Sequence, residues 1–308
     1  MKNNKVAIYY SNKFGRNDGP PLYYWNVLKH QLKLDVKHLL PEGDLARFGK
    51  FNYHFWVDWG EDALGMSDLH IPKDGGKTIY VVSDAHLDNG YRFKKAQEFD
   101  YIFFNQAHYL DKYQPLPGQK VFYLPHAAEP TAYPYFEIIK KYDLCFIGHM
   151  QEYHKGNTVN TTRLDALDIM FKAFPNFYFG TRHPAWPDKN IFDDASKKFC
   201  QSKVVFNISV GNDLNMRFFE VLSSGSFLLT NWIPELESVP DLIDGEHYVS
   251  YKTMAEAIEK ATYYIEHDSE REKIAKAGHR AFLKNHTYKH RVEAILQVTN
   301  FPYKSKKK

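Results

Sequence analysis

The stretch from Asp213 to Glu220 contains residue types at a spacing that suits a nucleotide diphosphate. Asn215 precedes a helix-patterned segment, and Arg217 and Glu220 lie three residues apart, on one face of that helix. The free N–H groups of a helix N-terminus bind phosphate, and a guanidinium adds a bidentate cation beside them. Glu220, one turn further on, can accept hydrogen bonds from a ribose diol. An ordinary capped helix start with an Arg–Glu pair is the plainer interpretation of the same residues.

The elements around this stretch place the helix at one edge of a parallel sheet. An apolar run typical of a strand, residues 204–208, leads into a polar loop, residues 209–215, and the helix ends at Gly225. A second apolar run, residues 227–230, follows. Strand–loop–helix–turn–strand is the unit that puts a helix N-terminus at the carboxyl ends of parallel strands, where open α/β sheets bind ligands.

This segment resembles the donor-binding core of GT-B glycosyltransferases, and most closely their spore-maturation-type members. The residues that carry the resemblance are Asn207, Ser209, Asp213, Asn215, Arg217, Phe219, Glu220 and Gly225. The resemblance implies an α/β protein of the GT-B class, with two Rossmann-like domains whose parallel sheets face a central cleft. It also implies glycosyl transfer from a nucleotide sugar, UDP- or GDP-linked, without a bound metal or other cofactor, and with Glu220 holding the donor ribose. Asn212 stands where many retaining members carry a Glu, so the stereochemical outcome does not carry over.

The loop after the apolar run 143–147 is implied to hold further donor contacts. In the wider class this strand ends in Gly-Arg and a Lys-Gly follows, and both cations meet the donor diphosphate. Gly148 and His149 occupy the first position here, and Lys155 could fill the second role. His149 would supply a weaker, pH-dependent charge. A surface loop without such a role is an equal alternative.

Three polar residues follow the apolar run 77–82, namely Asp84, His86 and Asp88. Ligands of open α/β sheets lie at such strand ends. The resemblance implies that this one touches the transferred sugar or supplies a general base for the acceptor hydroxyl. The Asp-x-His pair also opens the metal site of calcineurin-like phosphoesterases, but the downstream motifs of that class are missing from the sequence. A structural turn, with an Asp capping the next helix, is the remaining interpretation.

The resemblance places the acceptor side in the first half of the chain. The loop with Gly15 and Gly19 follows the first strand and is not a G-x-G-x-x-G dinucleotide motif. Asp58 lies in an aromatic and acidic cluster, residues 54–62, and such a mixture suits a sugar acceptor. Core tryptophans with exposed acids explain the cluster equally well.

Composition limits the class of protein. The net charge of +3 is small and argues against a stable nucleic-acid complex, which needs a clustered basic surface. The basic run 304–308 is expected to be a solvated tail, with weak attraction to an anionic membrane surface as the alternative. No apolar run reaches the ~20 residues of a membrane helix. The two cysteines lack metal-type spacing and the sequence has no signal-peptide pattern, so a cytoplasmic location is expected.

Alternating apolar runs and helix patterns predict a parallel α/β architecture in two domains. A proline-rich stretch, residues 125–134, gives residues 1–130 for the acceptor-side domain and 131–290 for the nucleotide-sugar domain. Residues 291–308 are predicted to form a helix returning toward the first domain, plus the basic tail. Thr253 and Ser269 are predicted to cap the helices that follow them. Predicted helices cover 22–32, 91–98, 163–174, 191–200, 254–267, 269–285 and 290–299, and predicted strands cover 6–10, 34–39, 53–57, 77–82, 101–104, 121–124, 143–147 and 177–179.

The sequence therefore predicts a GT-B glycosyltransferase that acts on a carbohydrate or another hydroxyl acceptor. A nucleotide-sugar epimerase of the same architecture is one alternative, and it would turn over the donor without an acceptor. A non-catalytic protein that binds a nucleotide or a sugar is another, and it would tolerate simultaneous changes at residues 84, 86 and 88.

Overall fold

The computed structural model describes residues 5–9, 19–39, 50–58, 74–86, 89–148, 161–180, 195–209 and 213–302. The chain divides into two compact units, one formed by Met1–Pro125 with Tyr288–Lys308 and the other by His126–Thr287. The sequence analysis places the corresponding borders at residues 130 and 290. The basic run 304–308 lies outside the described residues.

The described part of the first unit contains a parallel sheet of six strands in the order β2-β1-β3-β4-β5-β6. All five residues of β3 are buried, and so are the last four of β4, because helices and loops cover both faces of a parallel sheet. The runs predicted at 53–57, 77–82 and 101–104 are confirmed to the residue. The strands are β1 Lys5–Tyr9, β2 Asp35–Leu39, β3 Tyr53–Val57, β4 Lys77–Val82, β5 Tyr101–Phe104 and β6 Lys120–Tyr123.

The first helix differs from the prediction of one continuous α-helix over 22–32. It begins two residues earlier as α1, Pro20–Asn26, because a proline is favoured in the first helical turn. From Val27 to Gln31 the chain continues as a π-helical turn, in which the N–H of Leu32 donates to the carbonyl of Val27 at 2.9 Å. Helix α2, Asn89–Ala96, follows β4.

The second unit, in its described part, contains a parallel sheet of five strands in the order β11-β10-β9-β7-β8. Apolar side chains on its two faces form two separate clusters, one with Phe219 and Leu228 and the other with Phe206 and Leu229. Its elements are β7 Tyr142–Ile147, α3 Arg163–Ala173, β8 Phe177–Gly180, α4 Ala195–Cys200, β9 Ser202–Asn207, α5 Met216–Ser223, β10 Leu228–Asn231, β11 Val249–Tyr251, α6 Met254–Glu266 and α7 Asp268–Asn285.

The two predicted helix caps have different outcomes. Thr253 caps α6, since its side chain accepts the N–H of Glu256 at 3.1 Å. The prediction that Ser269 caps α7 is wrong. Helix α6 ends at Glu266 and α7 begins at Asp268, so His267 is the only residue between them and Ser269 lies inside the first turn of α7.

The last helix, α8 (Tyr288–Val298), belongs to the first unit. The ring of Tyr288 packs against Tyr23 and Tyr24 of α1, with centroids 5.0 and 5.4 Å apart. Arg291 Nε donates to the carbonyl of Pro125 at 2.8 Å. The first unit is thus completed by a segment that follows the whole of the second unit in the chain.

Within the described residues, no helix has the length and apolar character that crossing a membrane requires. Cys145 and Cys200 are both buried and neither forms a disulfide.

Candidate functional site

Helix α5 begins at a cap that ties it to the neighbouring strand ends. The side chain of Asn215 accepts the N–H of Phe218 at 3.2 Å, and this is the cap that the sequence pattern favours. The side-chain amides of Asn215 and Asn207 contact each other at 3.3–3.4 Å, and Asn207 Nδ2 donates to Thr230 Oγ1 at 2.9 Å. The start of α5 is therefore fixed to the carboxyl ends of β9 and β10.

Arg217 and Glu220 form a largely buried ion pair on α5. Arg217 Nη1 lies 2.6 Å from Glu220 Oε2, and the two side chains are 13% and 6% exposed. The guanidinium also lies over the ring of Phe199, 5.2 Å from its centroid. This is the contact that the plainer interpretation of the sequence expects, and it also holds the carboxylate of Glu220 in place one turn into the helix. The donor-binding role of both residues stays a prediction.

The described ends of the loop between β9 and α5 are held by one side chain from the end of β10 and one from shortly after it. The N–H of Ser209 donates to Asn231 Oδ1 at 2.7 Å, and the N–H of Leu214 donates to Glu235 Oε2 at 2.5 Å. Asp213 is 9% exposed, so it is close to buried. Residues 210–212 lie outside the described residues. These two loop amides are thus already bonded. Phe218 N–H is bonded to the Asn215 cap, so the other amides of the first turn of α5 are the better candidates for a phosphate.

Of the three residues predicted after β7, the structure describes one. The N–H of Gly148 donates to the carbonyl of Gly180 at 3.0 Å, and a Cβ at Gly148 would come within 2.9 Å of the Phe146 ring. His149 and Lys155 lie outside the described residues, and their predicted contacts with a diphosphate stay predictions.

Arg163 is a cation at this edge that the sequence analysis did not single out. It is the first residue of α3, and its Nη2 donates at 2.9 Å to the carbonyl of Ile208, directly after β9. Its guanidinium lies 5.9 Å from the centroid of Phe146. The available signal was a basic residue at the first position of the helix predicted to follow β7.

In the first unit, the residues after β4 form a compact turn at the carboxyl end of the sheet. Asp84 has φ of +49°, in the left-handed region that Asp and Asn tolerate better than most residues. Asp84 and His86 are each half-buried. His86 Nδ1 lies 3.0 Å from Gln106 Nε2, after β5. Asp88, the third predicted catalytic residue, lies outside the described residues.

Asp58, which is predicted on the acceptor side, lies in a buried ion pair, and its acceptor-side role stays a prediction. It is fully buried, with its Oδ2 2.6 Å from Arg92 Nε and 3.2 Å from the hydroxyl of Tyr80. Burial raises the pKa of the Asp58 carboxyl, and the Arg92 guanidinium opposes that rise. Because its charge is matched inside the protein, Asp58 is placed to hold α2 against the sheet. The nearby charge of Asp84 raises the pKa of both Asp58 and Arg92.

The predicted acceptor-side glycines are described in part. Gly19 has φ of 125°, where glycine is favoured, and it is the residue directly before α1. Gly15 lies outside the described residues.

Across the part of the chain that the structure describes, no group of three or more His, Cys, Asp and Glu side chains is arranged to hold a metal ion.

The second half of the chain matches a known protein family model. Residues 163–297 match the family model described as "Glycosyl transferase-like". Arg163, Arg217 and Glu220 lie inside the matched segment. No curated protein sequence matches the chain significantly. The spore-maturation-type likeness within the GT-B class stays a prediction.

Solved structures of glycosyltransferases share the architecture at low sequence identity. Sucrose-phosphate synthase from Thermosynechococcus elongatus superposes with a TM-score of 0.65 at 9% identity, covering 96% of this chain and 98% of that chain. The DNA-modifying enzyme β-glucosyltransferase gives 0.61 at 13% identity, covering 96% and 100%. Anabaena Alr3699/HepE, in complex with UDP and glucose, gives 0.61 at 10% identity, covering 97% and 99%. The chain therefore has the GT-B fold of glycosyltransferases, and its residues 163–297 match the glycosyl transferase-like family model.

Proposed function

We propose that the protein is a glycosyltransferase that moves a sugar from a nucleotide-diphosphate sugar, UDP- or GDP-linked, to a hydroxyl acceptor. One observation carries the proposal. The buried Arg217–Glu220 pair lies one turn into α5, whose capped start is fixed to the carboxyl ends of β9 and β10. This part of the chain also lies inside the match to the glycosyl transferase-like family.

The proposed donor contacts follow from the charge and position of these groups. Glu220 would accept hydrogen bonds from the ribose hydroxyls, and its contact with Arg217 would hold the carboxylate in place. The diphosphate would lie against the first-turn N–H groups of α5, with Arg163 as an additional cation. Negative charge grows on the leaving nucleoside diphosphate as the glycosidic bond breaks, and fixed N–H groups and cations stabilise it.

Two of the similar structures support UDP as the first nucleotide to test. Alr3699/HepE is described in complex with UDP and glucose, and β-glucosyltransferase with its substrate uridine diphosphoglucose. GDP remains in the proposal because the contacts to the base lie in loops, and residues 210–212 are not among the described ones.

On the acceptor side, Asp84 or Asp88 would take the proton of the attacking hydroxyl, and His86 is the third candidate. The proposal rests on their position after β4, at the carboxyl end of the first sheet, where this fold class binds ligands. The acceptor is a carbohydrate or another hydroxyl compound, and the transfer is proposed to proceed without a bound metal ion.

The donor site is tested by titration calorimetry of UDP and GDP against the full chain. Glu220→Gln keeps the size of the side chain and removes its charge, so donor affinity is expected to fall by about 1.5–3 kcal/mol, roughly 10- to 150-fold in Kd. Glu259→Gln, on the exposed surface of α6, is the matched control and should bind like the wild type. Circular dichroism verifies that Glu220→Gln is folded.

Unchanged nucleotide affinity in folded Glu220→Gln would contradict the donor site. The activity itself is tested with a panel of nucleotide sugars and glycan acceptors, each with and without EDTA. Transfer that is insensitive to EDTA is expected. Conversion of the donor sugar to an isomer, without formation of a new glycoside, would contradict glycosyl transfer and would indicate an epimerase.

A further inference from the structure

We infer that Gln106 is a positioning residue that fixes the protonation pattern of the His86 ring, so that His86 donates a hydrogen bond through Nε2 and does not serve as the base. The geometry of three groups after β4 and β5 carries this inference. Its catalytic meaning rests on the proposed glycosyl transfer, whereas the protonation pattern itself does not.

The orientation of the Gln106 amide follows from a backbone contact. The N–H of Ala85 lies 3.0 Å from Gln106 Oε1, and a backbone N–H can only donate. The oxygen of the amide is therefore the atom facing Ala85. Gln106 is 1% exposed and Ala85 is fully buried, so reversing the amide would leave two N–H groups facing each other without water to separate them.

The orientation of the amide determines which nitrogen of His86 carries the proton. Gln106 Nε2 lies 3.0 Å from His86 Nδ1. The amide NH₂ is a donor, so Nδ1 must accept, and in a neutral imidazole the other nitrogen, Nε2, then holds the hydrogen. Protonating Nδ1 would set a second donor against the Gln106 amide and would break the hydrogen bond.

This arrangement is the reverse of an Asp–His pair that prepares a base. There a carboxylate accepts from Nδ1–H and leaves Nε2 free to take a proton. Here an amide donor occupies Nδ1, so His86 is suited to hold a sugar or acceptor hydroxyl through Nε2–H. Of the described candidates, Asp84 is then the one able to take the proton of the acceptor.

The neighbouring elements hold Gln106 in place. Ser83 Oγ donates to Asn105 Oδ1 at 2.7 Å, and Asn105 Nδ2 donates to the carbonyl of Leu124 at 2.7 Å. The ends of β4, β5 and β6 are thus tied together next to Gln106. Among the described residues, the charged groups near this edge include Asp84 and the Asp58–Arg92 pair, and they stay the same in every variant proposed below.

The protonation pattern is measurable by NMR of the full chain labelled with ¹⁵N-histidine. Spectra at about pH 8.5, well above the ordinary histidine pKa of about 6.5, distinguish a protonated from an unprotonated ring nitrogen. The variant His86→Gln identifies the His86 signals. In the wild type, Nε2 of His86 should carry the proton and Nδ1 should not.

Changing Gln106→Glu should reverse the pattern. A carboxylate can still accept the N–H of Ala85 but can only accept from His86, so Nδ1 should become protonated and the midpoint of the His86 titration should rise by about 1–3 pH units. Gln97→Glu adds the same charge on the exposed surface of the first unit and should leave His86 as in the wild type.

The variant Gln106→Met removes the donor without adding charge, and it keeps the test decisive if Gln106→Glu does not fold. The fraction of neutral His86 with its proton on Nδ1 should rise roughly 3- to 10-fold in this variant. A wild-type ring protonated on Nδ1, or a pattern unchanged in a folded Gln106 variant, would overturn the inference.

The result separates this inference from the proposed function. If Glu220→Gln binds nucleotide like the wild type, the donor site fails while the His86 measurement stands. If nucleotide binding behaves as proposed but the Gln106 variants leave the His86 ring unchanged, only the role of Gln106 is lost.

Discussion

Asp74 joins two buried groups and two backbone amides of the first unit through its carboxylate. Its Oδ1 lies 2.9 Å from His54 Nε2, and His54 Nδ1 lies 2.9 Å from the hydroxyl of Tyr9. The N–H groups of Phe51 and Gly76 also donate to it, both at 2.9 Å. His54 and Tyr9 are fully buried, so this carboxylate satisfies a polar chain that reaches into the core.

Acid stability should depend on Asp74. Burial raises the pKa of its carboxyl, but the donors from Phe51, Gly76 and His54 outweigh burial and lower the pKa below its ordinary value of 3.8. A lowered pKa in the folded state means that the ionised group adds stability above pH 3.8, and that this contribution is lost as the pH falls through the folded-state pKa.

Asp74→Asn should therefore lower the free energy of unfolding by about 1.5–3 kcal/mol at about pH 7, as expected for charge-assisted hydrogen bonds. The difference from the wild type should shrink at about pH 3, because the carboxyl of Asp74 takes up protons as the pH falls toward its folded-state pKa. Urea unfolding at the two pH values measures this, with Asp111→Asn, at an exposed position, as the control. An equal loss at both pH values would show that the charge of Asp74 does not matter.

Among the helices, α5 is followed, two residues after its end, by a residue whose backbone conformation favours glycine. Gly225 has φ of +68°, and a Cβ there would lie 2.9 Å from Cδ2 of the Tyr135 ring. The turn at Gly225 brings the chain back into β10, so it determines how α5 and β10 are joined.

Gly225→Ala should destabilise the second unit by about 1–2 kcal/mol, the cost of placing an L-residue in the left-handed region. Gly245→Ala is the matched control, since its φ is +79° and a Cβ there would meet nothing within 4 Å. The loss for Gly225 should at least equal the loss for Gly245 in urea unfolding. A smaller loss for Gly225 than for Gly245 would mean that the Tyr135 ring moves aside without loss of stability and that the turn at Gly225 relaxes.

Long apolar runs made most of the fold predictable from the sequence. The bounds of β3, β4 and β5 are as predicted, because a strand buried on both faces reads as a mainly apolar and aromatic segment. The caps were harder. Thr253 follows the usual pattern and Ser269 does not, because the joint between α6 and α7 has a single residue and no space for a separate cap.

The candidate site was predictable only where its residues lie together in the chain. The approach of Arg217 to Glu220 follows from helical spacing. The contact of Gln106 with His86 joins two strand ends 20 residues apart, and no local pattern indicates it. Asp58 carried no signal of its ion pair with Arg92, because the partner lies 34 residues further along the chain.

For the whole molecule, the division into two units predicts where a nucleotide acts. Amides in a binding site exchange their hydrogens with solvent when that site opens locally. A ligand at about 100 times its Kd slows this exchange by up to about a hundredfold. Residues 213–223 of the second unit should show this protection on addition of UDP or GDP. Strands β3 and β4 of the first unit should exchange as before.

Hydrogen-exchange mass spectrometry measures this protection, and the Glu220→Gln variant at the same nucleotide concentration serves as the control. Protection confined to the first unit would contradict the assignment of the donor to the second.

The position of α8 has a consequence for synthesis on the ribosome. The second unit is one uninterrupted segment, His126–Thr287, so all its partners have emerged once that segment is translated. The first unit starts earlier yet must wait, because the Tyr288 ring that packs on Tyr23 and Tyr24 arrives only afterwards. The part made first is thus finished last, and until then the nascent chain exposes an aromatic surface on α1 that chaperones would recognise.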